Sequence, residues 1–398
     1  MKILVVNGGS STYKLCLYDL EKEELREPLW TAVIDWGRKD NSLHLGASEL
    51  NGGSMEKNVE SLNVQEGFQL LLNTLWEGET QVIDGPQAIE SIGHRVVHGG
   101  RFFERPIRIN SAVKEKIRQL IPLAPLHNPV NLRAIEWMET LFPLASQFAV
   151  FDTAFHVTMP EMIKTYPVPF EWREKGIQRY GFHGISHHYC AERAAIFLKK
   201  DQKNFKMINC HLGNGCSLCA IQEGKSYETT MGLTPMEGLM MGTRCGSIDP
   251  GLLLYLMREH GVSWKDLDDD LNFSSGLKGI SGCSDMRDLL DQPKNERNRL
   301  AIEMFIHRLK TFIGAMTVSL GGVDVLSFTG GIGENASWIR EETCRGLACL
   351  GVVIDNEKNR FCLPDVDVSI ESGAVRVLVL RTHEEWMIAR ACLKTHLK

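Results

Sequence analysis

The sequence of 398 residues lacks the features that define several classes of protein. It has no basic surplus, because 44 lysines and arginines stand against 50 acidic residues and give a formal net charge of −6. A protein that binds the nucleic-acid backbone normally carries such a surplus. No apolar run approaches the ~20 residues of a membrane span, and the first residues do not resemble a secretion signal. We therefore predict a cytoplasmic protein that acts on small molecules, with no nucleic-acid or membrane partner.

The eleven cysteines fit neither a disulfide framework nor a zinc site. Cys16, Cys190 and Cys210 show no regular spacing, which is typical of reduced thiols in a cytosolic protein. The CxxC pair of Cys216 and Cys219 lies inside an apparent strand, so we predict that both are core residues.

A cluster of histidines near residue 185 also fails to match the paired ligand spacing of a structural zinc site. We predict instead that His187 and His188 begin a helix for which Ser186 is the N-cap. His183 lies between Gly181 and Gly184, and it is the histidine of this cluster that can reach into a cleft.

The chain lacks a P-loop, yet glycine-rich turns follow three apolar strands. The predicted strands are residues 3–7, 207–211 and 323–328. Glycine lets the backbone approach a phosphate closely, so that N–H groups can point toward it. A single turn of this kind is typical of a structural hairpin, whereas three in one chain favour phosphate binding.

The second strand and turn repeat the first about 200 residues later, a period too long for a solenoid. With 43% hydrophobic residues, the chain can form more than one core. Two similar α/β halves with facing glycine turns predict a nucleotide held in a cleft between them.

Charged residues in apolar or glycine-rich surroundings are the candidates for chemistry. Lys14, Arg95 and Arg244 are either members of structural ion pairs or ligands of carboxylate and phosphoryl oxygens. Asp152 follows a predicted strand, a position from which α/β proteins present catalytic side chains. Glu384 and its neighbour precede a predicted C-terminal helix, where a carboxylate either has a catalytic role or only stabilises the helix start.

Taken together, these segments resemble the acetate kinase family of the sugar kinase, actin and heat-shock-chaperone superfamily. The shared motifs are NGGSSTYK, HRVVHGG, LAPLHNP, FDTAFH, RYGFHGISHH, HLGNG, MGLTPMEGLMMGTR, SDMRD, FTGGIGEN and THEE. The resemblance implies a phosphotransferase that moves a phosphoryl group reversibly and directly, in line, from ATP to acetate, giving acetyl phosphate and ADP. It implies Mg²⁺, with Mn²⁺ as the alternative metal, and a homodimer.

The resemblance further implies an α/β fold of two duplicated actin-like (ribonuclease H-like) ATPase domains with the active site in the cleft between them. We expect an N-terminal domain at 1–152, joined by a returning C-terminal helix at 386–398. We expect the second domain, which would carry most of the nucleotide site, at 153–385.

Roles follow from the residues that match the family motifs. The resemblance implies catalytic roles for Asp152, Arg244, His183 and Arg95, and Mg²⁺ binding by Asn7 and Glu384. It implies that Arg95 also binds the acid, whose methyl end would lie against Val97, Leu126, Phe182 and Pro235. It implies that the following residues bind ATP: Ser10, Thr12, Lys14, His211, Leu212, Gly213, Asn214, Gly215, Asp285, Met286, Arg287, Gly331, Ile332, Gly333, Glu334 and Asn335.

The chemistry is consistent with these roles, because phosphoryl transfer depends mainly on positioning and on the neutralisation of charge. Acetate is ionised at pH 7, so the reaction requires no general base. We therefore predict that Asp152 orients Arg95 or the metal. Val97 is predicted to restrict the acid to acetate and, less well, propionate.

The sequence departs from the usual family pattern at Thr12, Ile185, Cys245, Ser247 and His383. These departures affect the fine geometry around His183 and Arg244 and bear on metal preference. The alternatives are a propionate or butyrate kinase of the same fold, an enzyme that uses pyrophosphate, and an ATP-driven binding module like actin or the chaperones. The glycine-rich segment at 331–335 disfavours pyrophosphate, and the arginine pair disfavours the binding module.

Overall fold

The computed structural model describes residues 1–9, 12–21, 24, 27–36, 42–60, 63–292 and 294–397. The chain forms two structural units. The first comprises Met1–Ala154 with His383–Lys398, and the second comprises Phe155–Thr382. Each unit is a mixed α/β structure built on its own sheet.

The first unit is built on a sheet of eight strands within the described residues. The strands are β1 (Lys2–Gly8), β2 (Thr12–Asp19), β3 (Trp30–Asp35), β4 (Leu43–Glu49), β5 (Ser54–Val59), β6 (Ser91–Val96), β7 (Ile107–Arg108) and β8 (Ser146–Phe151). Their order is β5-β4-β3-β2-β1-β6-β8-β7, and β1, β6 and β8 are parallel. The parallel strand β1 is almost continuously buried, whereas the antiparallel strand β3 alternates between buried and partly exposed residues, as expected for these two kinds of strand.

Helices cover this sheet. They are α1 (Val64–Asn73), α2 (Ser111–Gln119), α3 (Asn128–Leu141) and the C-terminal helix (Glu384–His396). Helix α3 packs on β1 and β6, and the C-terminal helix packs on β1, β6 and β8. Gly93 of β6 permits this close packing, because a Cβ atom there would lie 2.5 Å from Sγ of Cys392 and 2.7 Å from Ile388. The C-terminal helix is therefore part of the first unit.

The sheet of the second unit repeats the inner strands of the first. Its strands are β9 (Lys206–Leu212), β10 (Cys216–Gln222), β11 (Lys225–Thr229), β12 (Val325–Thr329), β13 (Val366–Asp367) and β14 (Arg376–Val379). The order β11-β10-β9-β12-β14 corresponds to β3-β2-β1-β6-β8, with the same parallel and antiparallel neighbours. This correspondence confirms the predicted α/β fold with a duplicated sheet.

The second unit has the following helices: α4 (Glu161–Lys164), α5 (Phe170–Glu174), α6 (Gly184–Leu198), α7 (Pro250–His260), α8 (Trp264–Phe273), α9 (Gly276–Ser281), α10 (Met286–Asp291), α11 (Glu296–Leu320), α12 (Gly330–Asn335), α13 (Ser337–Arg345) and α14 (Asn356–Arg360). Helices α6 and α11 pack on β9. No helix in the described ranges is long and apolar enough to cross a membrane.

Two local predictions were wrong, and one was confirmed. Ser186 is not the N-cap of α6, because the helix begins at Gly184 and His183 occupies the N-cap position. The predicted glycine turn at 329–335 is instead the short helix α12. Cys216 and Cys219 are fully buried core residues with free thiols, as predicted.

Candidate active site

A polar cluster lies at the carboxyl edge of the first sheet. Asn7, Arg95 and Asp152 come from the ends of the parallel strands β1, β6 and β8, which meet at one edge. Arg95 donates through Nε and Nη2 to Oδ2 of Asp152, at 3.1 and 2.5 Å, and through Nη1 to Oδ1 of Asn7 at 3.1 Å. The Asn7 amide donates to Glu385 at 2.9 Å and to Glu384 at 3.4 Å. The first turn of the C-terminal helix thus completes the cluster.

This cluster holds more acidic than basic groups. Burial, together with the carboxylates of Asp152 and Glu385, raises the pKa of Glu384 to about 7, although Arg95 and Lys14 favour its ionised form. Burial alone would lower the pKa of Arg95, but the surrounding carboxylates outweigh it and raise that pKa. The cluster therefore holds more carboxyl groups than its positive charge can balance.

A divalent cation fits this deficit. Asp152 is fully buried, and its Oδ1 has no hydrogen-bond partner among the described residues. Within the same residues, no three His, Cys, Asp or Glu side chains form a complete metal cage. Mg²⁺ does not need one, because it is usually held by one or two carboxylates together with waters and substrate phosphates. The donor set around Asn7 and Glu384 consequently suits this metal.

Two asparagines of α3 hold the ends of neighbouring strands. Asn131 accepts from the Val97 amide and donates to the Gly8 carbonyl, each at 3.1 Å. Asn128 accepts from the amide of His98 and donates to its carbonyl, also at 3.1 Å. Helix α3 therefore fixes both the glycine turn after β1 and the backbone at Val97, which is predicted to contact the acid.

The glycine turn itself is only partly described. Lys14 lies opposite Asn7 in the β1–β2 pairing, and its side chain is exposed. Thr12 is the first residue of β2, and its carbonyl accepts from the Gly9 amide at 2.8 Å. The predicted ATP ligand Ser10 lies outside the described residues.

In the second unit, His183 has a left-handed backbone with φ of 55° immediately before α6. A non-glycine residue in this conformation is uncommon and is held by its surroundings. Here His156 bonds the carbonyl of Phe182 at 3.0 Å. The His183 ring stacks on His211 with ring centroids 4.2 Å apart.

His183 and Arg244 border the same turn. A Cβ atom added at Gly215 would lie 3.4 Å from Nε2 of His183 and 3.5 Å from Nη1 of Arg244. Arg244 donates to the carbonyl of Pro235 at 3.0 Å. The two side chains therefore face one small region beside the turn, which glycine keeps open.

The loop that orients Arg244 is itself held by an ion pair. Arg179 donates to Glu237 at 2.5 Å and to three consecutive carbonyls, those of residues 229–231. Tyr166 donates to the same glutamate. The departures at Cys245 and Ser247 therefore do not leave Arg244 without support, because its partner is a backbone carbonyl.

A cavity of about 780 Å³ lies in the second unit. Its lining residues are Gly213, Asn214, Ser284, Asp285, Met286, Arg287, Leu290, Gly331, Ile332, Asn335 and Ala336. It lies where β9 and β12, which are parallel neighbours, end side by side. The structure thus brings together half of the residues predicted to bind ATP, eight of the sixteen.

Some predicted ATP ligands do not line this cavity. In the second unit these are His211, Leu212, Gly215, Gly333 and Glu334, and Thr12 and Lys14 belong to the first unit. The Glu334 carboxylate accepts from the amides of Gly330 at 3.0 Å and of Thr382 at 3.3 Å, so it holds the start of its own helix. Asp285 caps α10 and pairs with Arg287 at 2.6 Å at the cavity edge.

The residues predicted to contact the methyl end of the acid are divided between the two units. Val97, which is buried, and Leu126, which is partly exposed, belong to the first unit. Phe182, also buried, and Pro235, also partly exposed, belong to the second.

Sequence reasoning named Glu385 only as an undecided candidate beside Glu384, and it missed several other polar residues of these sites. Glu385 bonds Asn7 more closely than Glu384 does. Asn131 and Ser217 act through contacts with residues distant in sequence. For His187, the sequence predicts only that it begins a helix.

Comparison with solved structures first defines the class. An acetate kinase from Porphyromonas gingivalis matches with a TM-score of 0.90 and 38% identity over 100% of both chains. A propionate kinase from Francisella tularensis matches with a TM-score of 0.90 and 38% identity over 99% of both chains. The fold is therefore the actin-like ATPase fold of these acid kinases, as predicted.

The sequence comparisons then define the family. The model of the acetokinase family matches residues 2–390. The acetate kinase of Protochlamydia amoebophila is 54% identical over 99% of both chains, and that of Gloeobacter violaceus is 50% identical over 98% of both. The chain belongs to the acetokinase family, and it is a phosphotransferase with a carboxyl group as acceptor. ATP is the co-substrate of this family.

Proposed function

We propose that the chain transfers the γ-phosphoryl group of ATP to acetate, reversibly and with Mg²⁺, to give acetyl phosphate and ADP. The observation that carries acetate as the acceptor is the 54% identity to a relative named acetate kinase. Transfer is direct and in line, because the acetate oxygen is already a nucleophile at pH 7 and needs no covalent enzyme intermediate.

The metal is proposed to bind at the cluster of Asn7 and Glu384, with Mn²⁺ as the alternative ion. Support comes from the unpaired, buried Oδ1 of Asp152 and from the raised pKa of Glu384, because a cation favours the ionised carboxylate. When bound, Mg²⁺ supplies positive charge to the phosphate oxygens.

Asp152 is proposed to orient Arg95 and not to remove a proton. Its Oδ2 accepts two hydrogen bonds from that guanidinium, which fixes the direction of the planar group. Arg95 and Arg244 then bind the acetate carboxylate and the transferred phosphoryl group. His183 assists by hydrogen bonding to the same phosphoryl group, where negative charge spreads over the equatorial oxygens.

The second unit is proposed to carry most of the nucleotide site, as the domain prediction at 153–385 requires. The cavity of about 780 Å³ supports this, because it is lined by glycine-rich segments at the ends of parallel strands. Lys14 is proposed to contact the phosphates, while Val97 and Leu126, with Phe182 and Pro235, are proposed to contact the methyl end of the acid.

We also propose a cytoplasmic homodimer. Helix α7 has no buried residue, yet it carries Leu252, Leu254, Tyr255 and Met257, each at least 43% exposed. An apolar surface of this kind is typical of protein contacts. Light scattering of the protein and of Leu254→Asp tests this, because the variant is expected to be monomeric. A monomeric parent protein contradicts it.

A longer acid is the second candidate for the acceptor. The specific observation in its favour is that the propionate kinase structure matches as well as the acetate kinase structure, with a TM-score of 0.90 in both cases. The fold alone therefore does not distinguish acetate from propionate.

Parallel assays separate these possibilities. Acyl phosphate is trapped as the hydroxamate, with acetate, propionate or butyrate as acceptor and ATP or pyrophosphate as donor. The control variants are Arg244→Ala and, as a matched loss of charge, Arg345→Ala, whose side chain is 63% exposed. We expect the highest kcat/KM for acetate and ATP, and loss of activity only in the first variant. A preference for butyrate, or activity with pyrophosphate alone, contradicts the proposal.

A further inference from the structure

A chain of hydrogen bonds through the second unit leads to His183. Ser217 Oγ lies 2.9 Å from Nδ1 of His183 and 2.8 Å from Nε2 of His187. Nδ1 of His187 lies 2.8 Å from Nδ2 of Asn209. Ser217, His187 and Asn209 are fully buried. We call these three side chains the relay.

The orientation of the Asn209 amide sets the direction of the relay. Ser327 Oγ lies 2.5 Å from Oδ1 of Asn209, which is at the short limit for an O–H donor and too short for an N–H donor. The amide nitrogen therefore points to His187 and can only donate. His187 consequently accepts at Nδ1.

His187 then determines the next bond. Burial, with a smaller contribution from His156 and His211, lowers the pKa of His187 well below its ordinary value, so the ring is neutral. A neutral ring that accepts at Nδ1 carries its hydrogen on Nε2. His187 therefore donates to Ser217 Oγ. Among the described residues, the only other partner of that oxygen is Nδ1 of His183, so the hydroxyl hydrogen of Ser217 is directed to this nitrogen.

The bond between Ser217 and His183 determines which ring nitrogen of His183 carries the hydrogen. Because Nδ1 accepts from Ser217, the neutral His183 ring carries its hydrogen on Nε2. That nitrogen borders the Gly215 position, as does the Arg244 guanidinium. The N–H group therefore lies on the side of the ring that faces the glycine turn.

The fold explains why these residues meet. His183 and His187 are four residues apart, so they lie on one face at the start of α6. Ser217 pairs with His211 across β10 and β9, and Asn209 pairs with Ser327 across β9 and β12.

We propose that Ser217, His187 and Asn209 are positioning residues that hold His183 as its Nε2–H tautomer, so that a neutral N–H donor is aimed at the transferred phosphoryl group. This inference rests on the proposed role of His183. A preformed donor stabilises charge that develops on the phosphoryl oxygens, whereas the opposite tautomer would turn a lone pair toward them.

The first test is direct and needs no substrate. ¹⁵N NMR of the histidine-labelled full chain, with His183 assigned through His183→Gln, reports which ring nitrogen carries hydrogen. We expect the Nε2–H tautomer with a hydrogen-bonded Nδ1. Ser217→Ala should shift the Nδ1 signal of His183, and Ser217→Thr should restore it. A hydrogen on Nδ1 in the parent protein, or an unchanged signal in Ser217→Ala, overturns the inference.

The second test is a double-mutant cycle on kcat. Ser217→Ala should lower kcat by about tenfold with little change in KM, but it should cause no further loss in a His183→Ala background. An equal loss in both backgrounds means that Ser217 does not act through His183, and it overturns the inference.

A matched control is the buried hydroxyl of Ser91 in the first unit, which lies 3.1 Å from Nδ1 of His396. Ser91→Ala removes the same kind of bond and should leave kcat within about twofold. A tenfold loss in this variant as well would assign the effect to general disruption and contradict the inference. If the parent protein shows the expected tautomer but no transferase activity, the proposed function is wrong and the relay is retained.

Discussion

Glu384→Gln should stabilise the metal-free protein while it abolishes metal binding. Burial and two neighbouring carboxylates raise the pKa of Glu384 from 4.5 to about 7. The folded protein therefore binds this proton more tightly than the unfolded chain does. The resulting stability is present below pH ~4.5 and is lost as the pH rises through about 7. Above that pH, the ionised carboxylate opposes folding.

The size of the effect follows from the same pKa. Each pKa unit corresponds to about 1.4 kcal/mol, so the ionised side chain costs the metal-free protein up to about 3 kcal/mol. For a unit of this size, 1 kcal/mol changes Tm by roughly 2–4 °C. Glutamine keeps the shape without the charge. The variant should therefore unfold roughly 6–12 °C above the parent protein at pH 8, and close to it at pH 5.

The assay is calorimetry at both pH values, first with a chelator and then with Mg²⁺. Glu171→Gln, which removes an exposed carboxylate from the other unit, is the control for one lost charge. Mg²⁺ should stabilise the parent protein but not Glu384→Gln. A difference in Tm that does not change between pH 5 and pH 8 would refute the electrostatic reasoning.

Three further predictions concern the substrate sites. Arg244→Ala should lower kcat by about 10³–10⁵, measured as hydroxamate formation, and more than a tenth of parental kcat would contradict its role. Val97→Ala should raise kcat/KM for propionate relative to acetate by roughly tenfold, since one methylene is worth about 1–3 kcal/mol, and an unchanged ratio would exclude Val97 from the pocket. Gly242→Ala places Cβ 2.1 Å from Oδ1 of Asn214, so calorimetric ADP binding should weaken by about tenfold or more. An unaltered Kd would count against the cavity as the nucleotide site.

The sequence was most informative where structure is locally determined. The apolar strands before Asn7 and His211 and their glycine turns were located from pattern alone, and the duplicated sheet follows from them. A continuous apolar run bounded by glycine specifies a buried strand without reference to the rest of the chain.

Local rules failed where a distant partner decides the outcome. Ser186 has the side chain of a good N-cap, but its hydroxyl accepts from Thr382, 196 positions away, and contacts His211. The left-handed backbone of His183 lets the helix begin earlier. Glu334 likewise turns back to Gly330 and away from the cavity, which its motif did not indicate.

The polar networks were the least predictable part. The raised pKa of Glu384 and the unpaired oxygen of Asp152 both depend on burial among residues from separate strands and the C-terminal helix. The relay to His183 depends on three side chains from α6, β9 and β10 that meet only in the folded chain. Such networks are specified by the folded geometry and have no periodic signal.

The most direct test of the central claim is ³¹P NMR of the purified protein with ATP, acetate and Mg²⁺. The account predicts that acetyl phosphate and ADP form in equal amounts, that a chelator stops the reaction, and that Arg244→Ala does not catalyse it. ADP and inorganic phosphate without acetyl phosphate, or no turnover of ATP with acetate, would contradict the account.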